Sequence, residues 1–285
     1  MAEIKTIGVI GAGTMGNGIA HVAARAGLEV VLYDLQQSFL DRGLATIEKN
    51  LAREVAKAKL TEAQAAEARA HITTTLTLDA LSTCGLVIEA ATEKFAIKAA
   101  IFRDLDRILP PAAILATNTS SISITKIAAE TKRPAQVIGM HFFNPVPVME
   151  LVEVIRGLQT TQETFATVEA LAAQMGKTPV EVNDAAGFVS NRVLMPLINE
   201  AAYTVMEGVA TAEAVDKVFV LGMAHPMGPL TLADFIGLDV CVDIMRVLAE
   251  GLGNPKYNPC PLLVRMVDAG WLGRKAGRGF YTYPR

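Results

Sequence analysis

The sequence contains a histidine and two carboxylates in a pattern that could transfer protons. His141 is followed by Phe-Phe-Asn-Pro-Val-Pro, a proline-rich turn that can reverse the chain, and then by Glu150 and Glu153. Either carboxylate could hydrogen-bond an imidazole nitrogen, and such a pair can act as a general acid or base. Beside a dinucleotide this chemistry suits hydride transfer, because the base takes a hydroxyl proton as hydride leaves the same carbon.

A glycine-rich segment predicts the dinucleotide site. Between a predicted strand and a predicted helix lie Gly11, Ala12, Gly13, Thr14, Met15 and Gly16. Gly11 can make the tight turn, Gly13 lets the backbone approach a pyrophosphate, and Gly16 allows the helix to pack closely. Asp34 ends the next predicted strand, at the distance expected for a carboxylate that binds the ribose hydroxyls. Because an acidic side chain repels the 2′-phosphate of NADP, Asp34 favours NAD as the cofactor.

The surrounding elements predict an α/β fold, a Rossmann-like domain with a doubly wound parallel sheet. Further apolar strands and the helices between them are predicted over residues 86–91, 94–109, 114–117, 123–130 and 137–140. The polar segment Asn118-Thr-Ser120 follows one of these strands, and His141 follows another. Both segments therefore fall at the carboxyl edge of the sheet, where folds of this type bind their ligands.

The second half of the chain predicts an all-helical domain. Strand patterns almost disappear after residue 186, and amphipathic stretches occur over residues 187–207, 211–221, 228–235, 239–250 and 260–269. We therefore expect a Rossmann-like NAD-binding domain over residues 1–186 and an all-helical C-terminal domain over residues 187–285. Within the first domain, a charged, alanine-rich segment over about residues 37–70 predicts a helical hairpin.

Composition argues against several kinds of function. The 26 lysine and arginine residues nearly balance 29 aspartate and glutamate residues, and a net charge of −3 offers no basic field for nucleic acid or an anionic membrane. No uncharged apolar stretch reaches the roughly 18 residues that a membrane span needs, and the N-terminus enters a strand pattern without a leader. We therefore expect a cytoplasmic protein. The histidines and the three cysteines lack metal-ligand spacing, so no metal site is predicted.

Six segments are similar, in content and order, to those of the L-3-hydroxyacyl-CoA dehydrogenase family. They begin at Gly11, Asn118, His141, Gly187, His225 and Gly273. The short bacterial members, the 3-hydroxybutyryl-CoA dehydrogenases, resemble this sequence most. The resemblance implies interconversion of (S)-3-hydroxybutyryl-CoA and acetoacetyl-CoA with NAD(H), and a homodimer formed through the helical domain.

The resemblance also implies the roles of the catalytic residues. His141 becomes the general acid/base, and Glu153, rather than Glu150, becomes the carboxylate that orients it and stabilises the imidazolium. Ser120 and Asn191 match polar groups around the reacting oxygen and the thioester carbonyl. Since Asn191 belongs to the helical domain, the resemblance implies a substrate site at the interface between the domains.

Residues that would bind the two nucleotides are implied in the same way. Those that match positions around the nicotinamide half of NAD are Glu93, Lys98, Ser120 and Asn144. Lys275, near the C-terminus, matches a basic residue that reaches the nucleotide. The helical hairpin corresponds to the region that holds CoA, where Asn50 and Lys57 are the candidate substrate contacts.

Two other functions stay open at this point. A dehydrogenase of the same architecture could act on a free hydroxy acid or sugar acid, which would need a cationic partner such as Arg192. The apolar residues and prolines around His141 favour an uncharged thioester instead. A non-catalytic relative, such as a crystallin, would have lost the base. In this sequence His141, Glu153, Ser120 and Asn191 are all present.

Overall fold

Eight strands form one sheet in the computed structural model, which describes residues 4–284. The strands are β1 (Thr6–Ile10), β2 (Glu29–Tyr33), β3 (Ile72–Thr75), β4 (Leu86–Glu89), β5 (Ile114–Thr117), β6 (Val137–Phe142), β7 (Leu151–Arg156) and β8 (Thr178–Asn183). Their spatial order is β3-β2-β1-β4-β5-β6-β7-β8. Within these residues every neighbouring pair is parallel except β6 and β7, which run antiparallel.

The central strands read as continuous apolar runs because helices cover both faces of the sheet. Every residue of β4, β5 and β6 is buried. The helices of this first unit are α1 (Thr14–Arg25), α2 (Gln37–Ala56), α3 (Glu62–Ala70), α4 (Phe95–Ile108), α5 (Ile124–Ala128) and α6 (Gln162–Gln174). Thr61 and Gln64 form a capping box at the start of α3. This doubly wound arrangement confirms the predicted α/β fold class.

The described residues divide into two compact units, one ending at Asp184 and the other beginning at Ala185. The second unit is built from the helices α7 (Ser190–Met206), α8 (Ala212–Gly222), α9 (Pro229–Ile236), α10 (Leu238–Leu252) and α11 (Pro261–Asp268). Side chains from α7, α10 and α11 form its main apolar core. No helix within residues 4–284 combines the length and the apolar character needed to cross a bilayer.

Residues 151–183 form three elements, β7, α6 and β8, that the sequence patterns above do not predict. The strand β8 lies at the edge of the sheet and contains Pro179, and four of its six residues are exposed, so it lacks the apolar pattern of an inner strand. The strand β6 also extends beyond its predicted end at residue 140, because β7 pairs with it up to Phe142. His141 therefore lies within a strand, and the prediction that it follows the strand is wrong.

Candidate active site

The glycine loop connects β1 to the N-terminus of α1 at the carboxyl edge of the sheet. Thr14 and Met15 begin α1, where the backbone N–H groups and the helix dipole favour a phosphate. Gly11 has a φ of +95°, and a Cβ on Gly16 would lie 1.7 Å from the Gly11 carbonyl oxygen, so neither position tolerates a side chain. A Cβ on Gly13 would have no described atom within 4 Å, which leaves its backbone accessible to a ligand.

Asp34 lies beside this loop. Its Oδ2 accepts a hydrogen bond from the Ala12 backbone N–H at 2.8 Å, and its Oδ1 accepts one from the Leu35 N–H at 2.7 Å. These bonds orient the carboxylate, whose remaining lone pairs can accept from ribose hydroxyls. Asp34 also lines a cleft of about 530 Å³. Its apolar lining includes Tyr33, Leu35, Phe39, Ile97 and Ile101. The cleft has the size and lining expected for the adenosine half of a dinucleotide.

His141 and Glu153 form a buried pair on adjacent strands. They stand opposite each other in the antiparallel register of β6 and β7, and His141 Nδ1 lies 2.7 Å from Glu153 Oε2. The exposed fraction is 8% for His141 and 2% for Glu153, so solvent screens their interaction little. Glu150 precedes β7 and is exposed. The structure therefore pairs His141 with Glu153, as the resemblance implied.

The segment after β5 is hydrogen-bonded on both sides. Asn118 Oδ1 accepts from the Phe142 backbone N–H at 2.9 Å, which connects this segment to β6. On the other side, Glu93 Oε1 accepts from the Ser120 backbone N–H at 2.8 Å and from the Ser120 hydroxyl at 3.1 Å. Ser120 is therefore held at the same edge of the sheet as His141.

Lys98 belongs to this cluster through a buried ion pair. Its exposed fraction is 1%, and its Nζ lies 2.6 Å from Glu89 Oε2 and 3.6 Å from Glu93 Oε2. Burial by itself would raise the pKa of Glu93, but the Lys98 ammonium and the donors of residues 119–121 outweigh it and lower that pKa. Glu93 is therefore an anion at neutral pH and can only accept hydrogen bonds.

The other predicted site residues of the first unit are exposed or half-buried. Asn144 is exposed in the turn between β6 and β7. Asn50 is half-buried on α2, and Lys57 is exposed at the C-terminus of the same helix. The α2–α3 hairpin thus presents both of the candidate CoA contacts.

Two predicted site residues belong to the second unit. Asn191 is the second residue of α7. Lys275 lies in a short 3-10 turn, Arg274–Ala276, and its ammonium donates to Asp239 Oδ2 at 2.7 Å. The first unit thus brings together the glycine loop, Asp34, His141, Glu153, Ser120, Glu93 and Lys98, and the second unit carries Asn191 and Lys275.

Three residues with contacts in this region were not predicted. Glu89 and Thr117 end the neighbouring strands β4 and β5, and the Thr117 hydroxyl donates to Glu89 Oε2 at 2.8 Å. A carboxylate at the end of an apolar strand was a signal that could have identified Glu89. Lys177 is buried, and its ammonium donates to the carbonyls of Val146 and Met149 in the turn between His141 and Glu153. No local pattern marks Lys177, because its partners lie about 30 residues away along the chain.

Two family models cover nearly the whole chain. The NAD binding domain of 3-hydroxyacyl-CoA dehydrogenase matches residues 6–185, and the C-terminal domain of 3-hydroxyacyl-CoA dehydrogenase matches residues 187–283. This chain belongs to the 3-hydroxyacyl-CoA dehydrogenase family. The resemblance inferred from the six sequence segments is thereby confirmed.

Individual members of the 3-hydroxyacyl-CoA dehydrogenase family are similar over their full length. A probable 3-hydroxybutyryl-CoA dehydrogenase of Bacillus subtilis is 59% identical, with 99% of this chain and 98% of the relative aligned. The 3-hydroxybutyryl-CoA dehydrogenase of Bradyrhizobium diazoefficiens is 56% identical over 99% of this chain and 96% of its own. The crystal structure of an (S)-3-hydroxybutyryl-CoA dehydrogenase from Ralstonia eutropha superimposes with a TM-score of 0.98 at 51% identity, and the match covers 99% of this chain and 100% of that one.

Proposed function

We propose that this chain interconverts (S)-3-hydroxybutyryl-CoA and acetoacetyl-CoA by hydride transfer with NAD(H). The observation that supports this most is the buried His141–Glu153 pair, 2.7 Å apart, at the same sheet edge as the glycine loop and Asp34. A proton carrier and a dinucleotide cleft on one edge are the two components that a hydroxyl-to-ketone oxidation needs. The relatives described above carry the name of this reaction.

In this proposal each residue acts on a defined part of the reaction. When bound, NAD supplies the hydride acceptor for the oxidation. The His141 imidazole, oriented through Nδ1 by Glu153, takes the 3-hydroxyl proton, and Glu153 stabilises the imidazolium that forms. Ser120 and, from the second unit, Asn191 supply hydrogen bonds around the reacting oxygen and the thioester carbonyl.

The nucleotide contacts are proposed from the same placement. The glycine loop holds the pyrophosphate, Asp34 accepts from the adenosine ribose, and the apolar cleft holds the adenine. Asn144 and Lys275 are proposed to contact the cofactor. On the hairpin, Asn50 and Lys57 are proposed to contact CoA, whose phosphates need cationic or polar partners.

Initial rates with NADH and NADPH, using acetoacetyl-CoA and free acetoacetate in parallel, test the substrate and the cofactor. Rapid NADH turnover with the thioester alone supports the proposal. Preference for the free acid assigns the chain to the hydroxy-acid alternative, and no turnover with either substrate supports the non-catalytic alternative. His141→Ala should abolish turnover and keep NADH binding, measured by fluorescence titration. The matched control is His71→Ala, because His71 forms a similar 2.7 Å pair with Glu29 and should leave turnover unchanged.

We further propose a homodimer formed through the second unit. Large apolar side chains are well exposed on this unit, including Val193 at 65%, Val218 at 57% and Leu221 at 77%. Val218 and Leu221 lie on one face of α8, and a surface of this kind is stabilised when a second copy covers it. Sedimentation equilibrium should show a dimer that Leu221→Glu weakens. The exposed Leu35→Glu in the first unit is the control, and a monomeric wild type would contradict the proposal.

A further inference from the structure

We propose that Lys177 is a positioning residue for the cofactor, because its buried ammonium fixes the turn that carries Asn144. The inference rests on the function proposed above, in which Asn144 contacts NAD. It assigns a role to a buried cation of the first unit that belongs neither to the glycine loop nor to the His141–Glu153 pair.

The turn comprises residues 143–150 and connects β6 to β7. It contains two prolines, which have no N–H to donate. The Pro145 carbonyl accepts from the N–H groups of Val148 and Met149, at 2.9 Å each. The carbonyls of Val146 and Met149 receive their hydrogen bonds from a side chain outside the turn. The conformation of the turn therefore depends on that side chain.

Lys177 is the side chain that supplies these donors. It directly precedes β8 and is 8% exposed. Its ammonium donates to the Val146 carbonyl and, at 2.9 Å, to the Met149 carbonyl. The next residue, Thr178, donates its backbone N–H to the Glu150 carbonyl at 2.7 Å, which holds the end of the turn against β8. An ammonium carries several N–H donors and no acceptor, so one side chain can bridge both carbonyls.

A buried ammonium is costly, so its presence needs a reason. Burial lowers the pKa of Lys177, and the nearby Arg25 guanidinium lowers it further. The carboxylates of Glu150 and Glu54 oppose this shift. Hydrogen bonds from a charged donor are about twice as strong as neutral ones, so the ammonium holds the turn more firmly than an amide or hydroxyl would.

The opposite side of the turn packs against α1. Val146 is 2% exposed, and a Cβ on Gly18 would lie 2.7 Å from the Val146 Cβ. The backbone of α1 thus approaches Val146 too closely for a side chain at Gly18. Since α1 begins at Thr14, directly after the glycine loop, Val146 ties the turn to the helix whose N-terminus favours a phosphate.

Asn144 lies two residues before Val146 and is exposed. The Lys177 ammonium and the α1 contact fix the backbone beside Asn144, while its side chain stays accessible to a ligand. An exposed side chain on a loose turn would lose conformational entropy when a ligand binds. A turn that is already fixed lowers that cost, and affinity rises accordingly.

A double-mutant cycle tests the coupling of Lys177 to Asn144. Lys177→Met removes the ammonium and keeps an apolar side chain of similar length. It should raise the Kd of NADH, measured by fluorescence titration, by about 3- to 10-fold, the range for one misplaced neutral hydrogen bond. In an Asn144→Ala background the same substitution should raise Kd by less than about twofold, whereas Tm should fall equally in both backgrounds.

Three results of the cycle would overturn the inference. They are an equal rise in Kd in both backgrounds, an unchanged Kd in Lys177→Met, and an unchanged Kd in Asn144→Ala. If Lys177→Met does not fold, Lys177→Gln, which keeps a neutral N–H donor, decides by the same criteria.

Arg133→Met is the matched control. Arg133 is a largely buried cation of the same unit, with a side chain 11% exposed, and it too donates to backbone carbonyls, at 2.7 Å to Asp106 and 3.2 Å to Leu109. It precedes β6, whereas the turn follows that strand. Arg133→Met should lower Tm and leave the Kd of NADH unchanged. A rise in Kd as large as that of Lys177→Met would assign the effect to general destabilisation and overturn the inference.

Amide hydrogen exchange gives a readout that needs neither substrate nor cofactor. A peptide covering residues 143–150 should exchange faster in Lys177→Met than in wild type, because the N–H groups of Val148 and Met149 are protected by the turn. Unchanged exchange would overturn the inference. If the coupling and the faster exchange are found while the wild type fails to reduce acetoacetyl-CoA, this inference stands and the proposed substrate is wrong. If the wild type is active while Kd and exchange are unchanged in Lys177→Met, the proposed function stands and this inference fails.

Discussion

Glu153→Gln removes a single charge from the His141 pair and preserves the shape of the side chain. The two residues are 8% and 2% exposed, and Nδ1 and Oε2 are 2.7 Å apart, so the bond is short and little screened. In the wild type the carboxylate faces an imidazole that becomes an imidazolium as the substrate is oxidised. In the variant a neutral amide faces the same cation, and the tautomer of the imidazole is no longer imposed by an acceptor-only partner.

The size of the loss follows from the type of bond. Hydrogen bonds to charged groups contribute about 1.5–3 kcal/mol, and about 1.4 kcal/mol corresponds to a tenfold change in rate. The variant should therefore lose about 10- to 150-fold in kcat/KM for acetoacetyl-CoA. NADH affinity should stay close to that of the wild type, because Glu153 lies on β7 and the glycine loop follows β1.

The assay is the initial rate of NADH consumption, together with a fluorescence titration of NADH binding and a thermal melt for each variant. Glu150→Gln is the matched control, since it removes the other carboxylate of the block, which is exposed and outside β7. We expect it to keep near-normal kcat/KM. A loss of less than about threefold in Glu153→Gln, or an equal loss in Glu150→Gln, would refute the reasoning.

Three further predictions concern the cofactor site and stability. Asp34→Ser should raise the ratio of kcat/KM for NADPH to that for NADH, because the charge that repels a 2′-phosphate is lost; an unchanged ratio would show that Asp34 does not read the ribose. Gly16→Ala should lower the free energy of unfolding by about 1–3 kcal/mol, since its Cβ would lie 1.7 Å from the Gly11 carbonyl oxygen. Gly13→Ala is the control, because a Cβ at Gly13 has open space, and this variant should keep the wild-type Tm. Burial lowers the pKa of His21 below its usual value of 6.5 in the folded protein. As the pH falls below 6.5, His21 is therefore protonated more readily in the unfolded chain than in the folded one, and the free energy of unfolding decreases. His21→Leu should therefore lose less stability than wild type between about pH 7.5 and pH 5.5 in denaturant titrations, and parallel losses would contradict the assignment.

The elements around the proposed nucleotide site could be predicted because their residues are close together along the chain. The strand, glycine loop, helix and second strand span residues 6–34. Two of the loop glycines are required by local constraints, Gly11 by its φ of +95° and Gly16 by the Gly11 carbonyl oxygen, which would lie 1.7 Å from a Cβ. The strand over residues 114–117 was predicted with its observed bounds, since a buried strand of a parallel sheet reads as a continuous apolar run.

The edge strands could not be predicted in the same way. The strand β8 is exposed over most of its length and contains a proline, so its residues show no clear strand pattern. It is stabilised by its pairing with β7. The residue pattern placed His141 after its strand and left both Glu150 and Glu153 as partners, and only the family resemblance implied Glu153. The antiparallel register of β6 and β7 gives the physical reason for that partner, because it sets Glu153 directly opposite His141.

The sequence by itself thus determined the fold class, the glycine loop between β1 and α1, and the family, since these depend on short segments whose backbone geometry is encoded locally. Only the tertiary structure showed that Lys98 is a buried cation, because its partner Glu89 lies at the end of the buried strand β4. The same holds for the strand register that sets Glu153 opposite His141 and for the hydrogen bond that Glu93 accepts from the Ser120 hydroxyl. Strand register and side-chain burial are set by contacts between distant segments, and residue types and spacing along the chain do not specify those contacts.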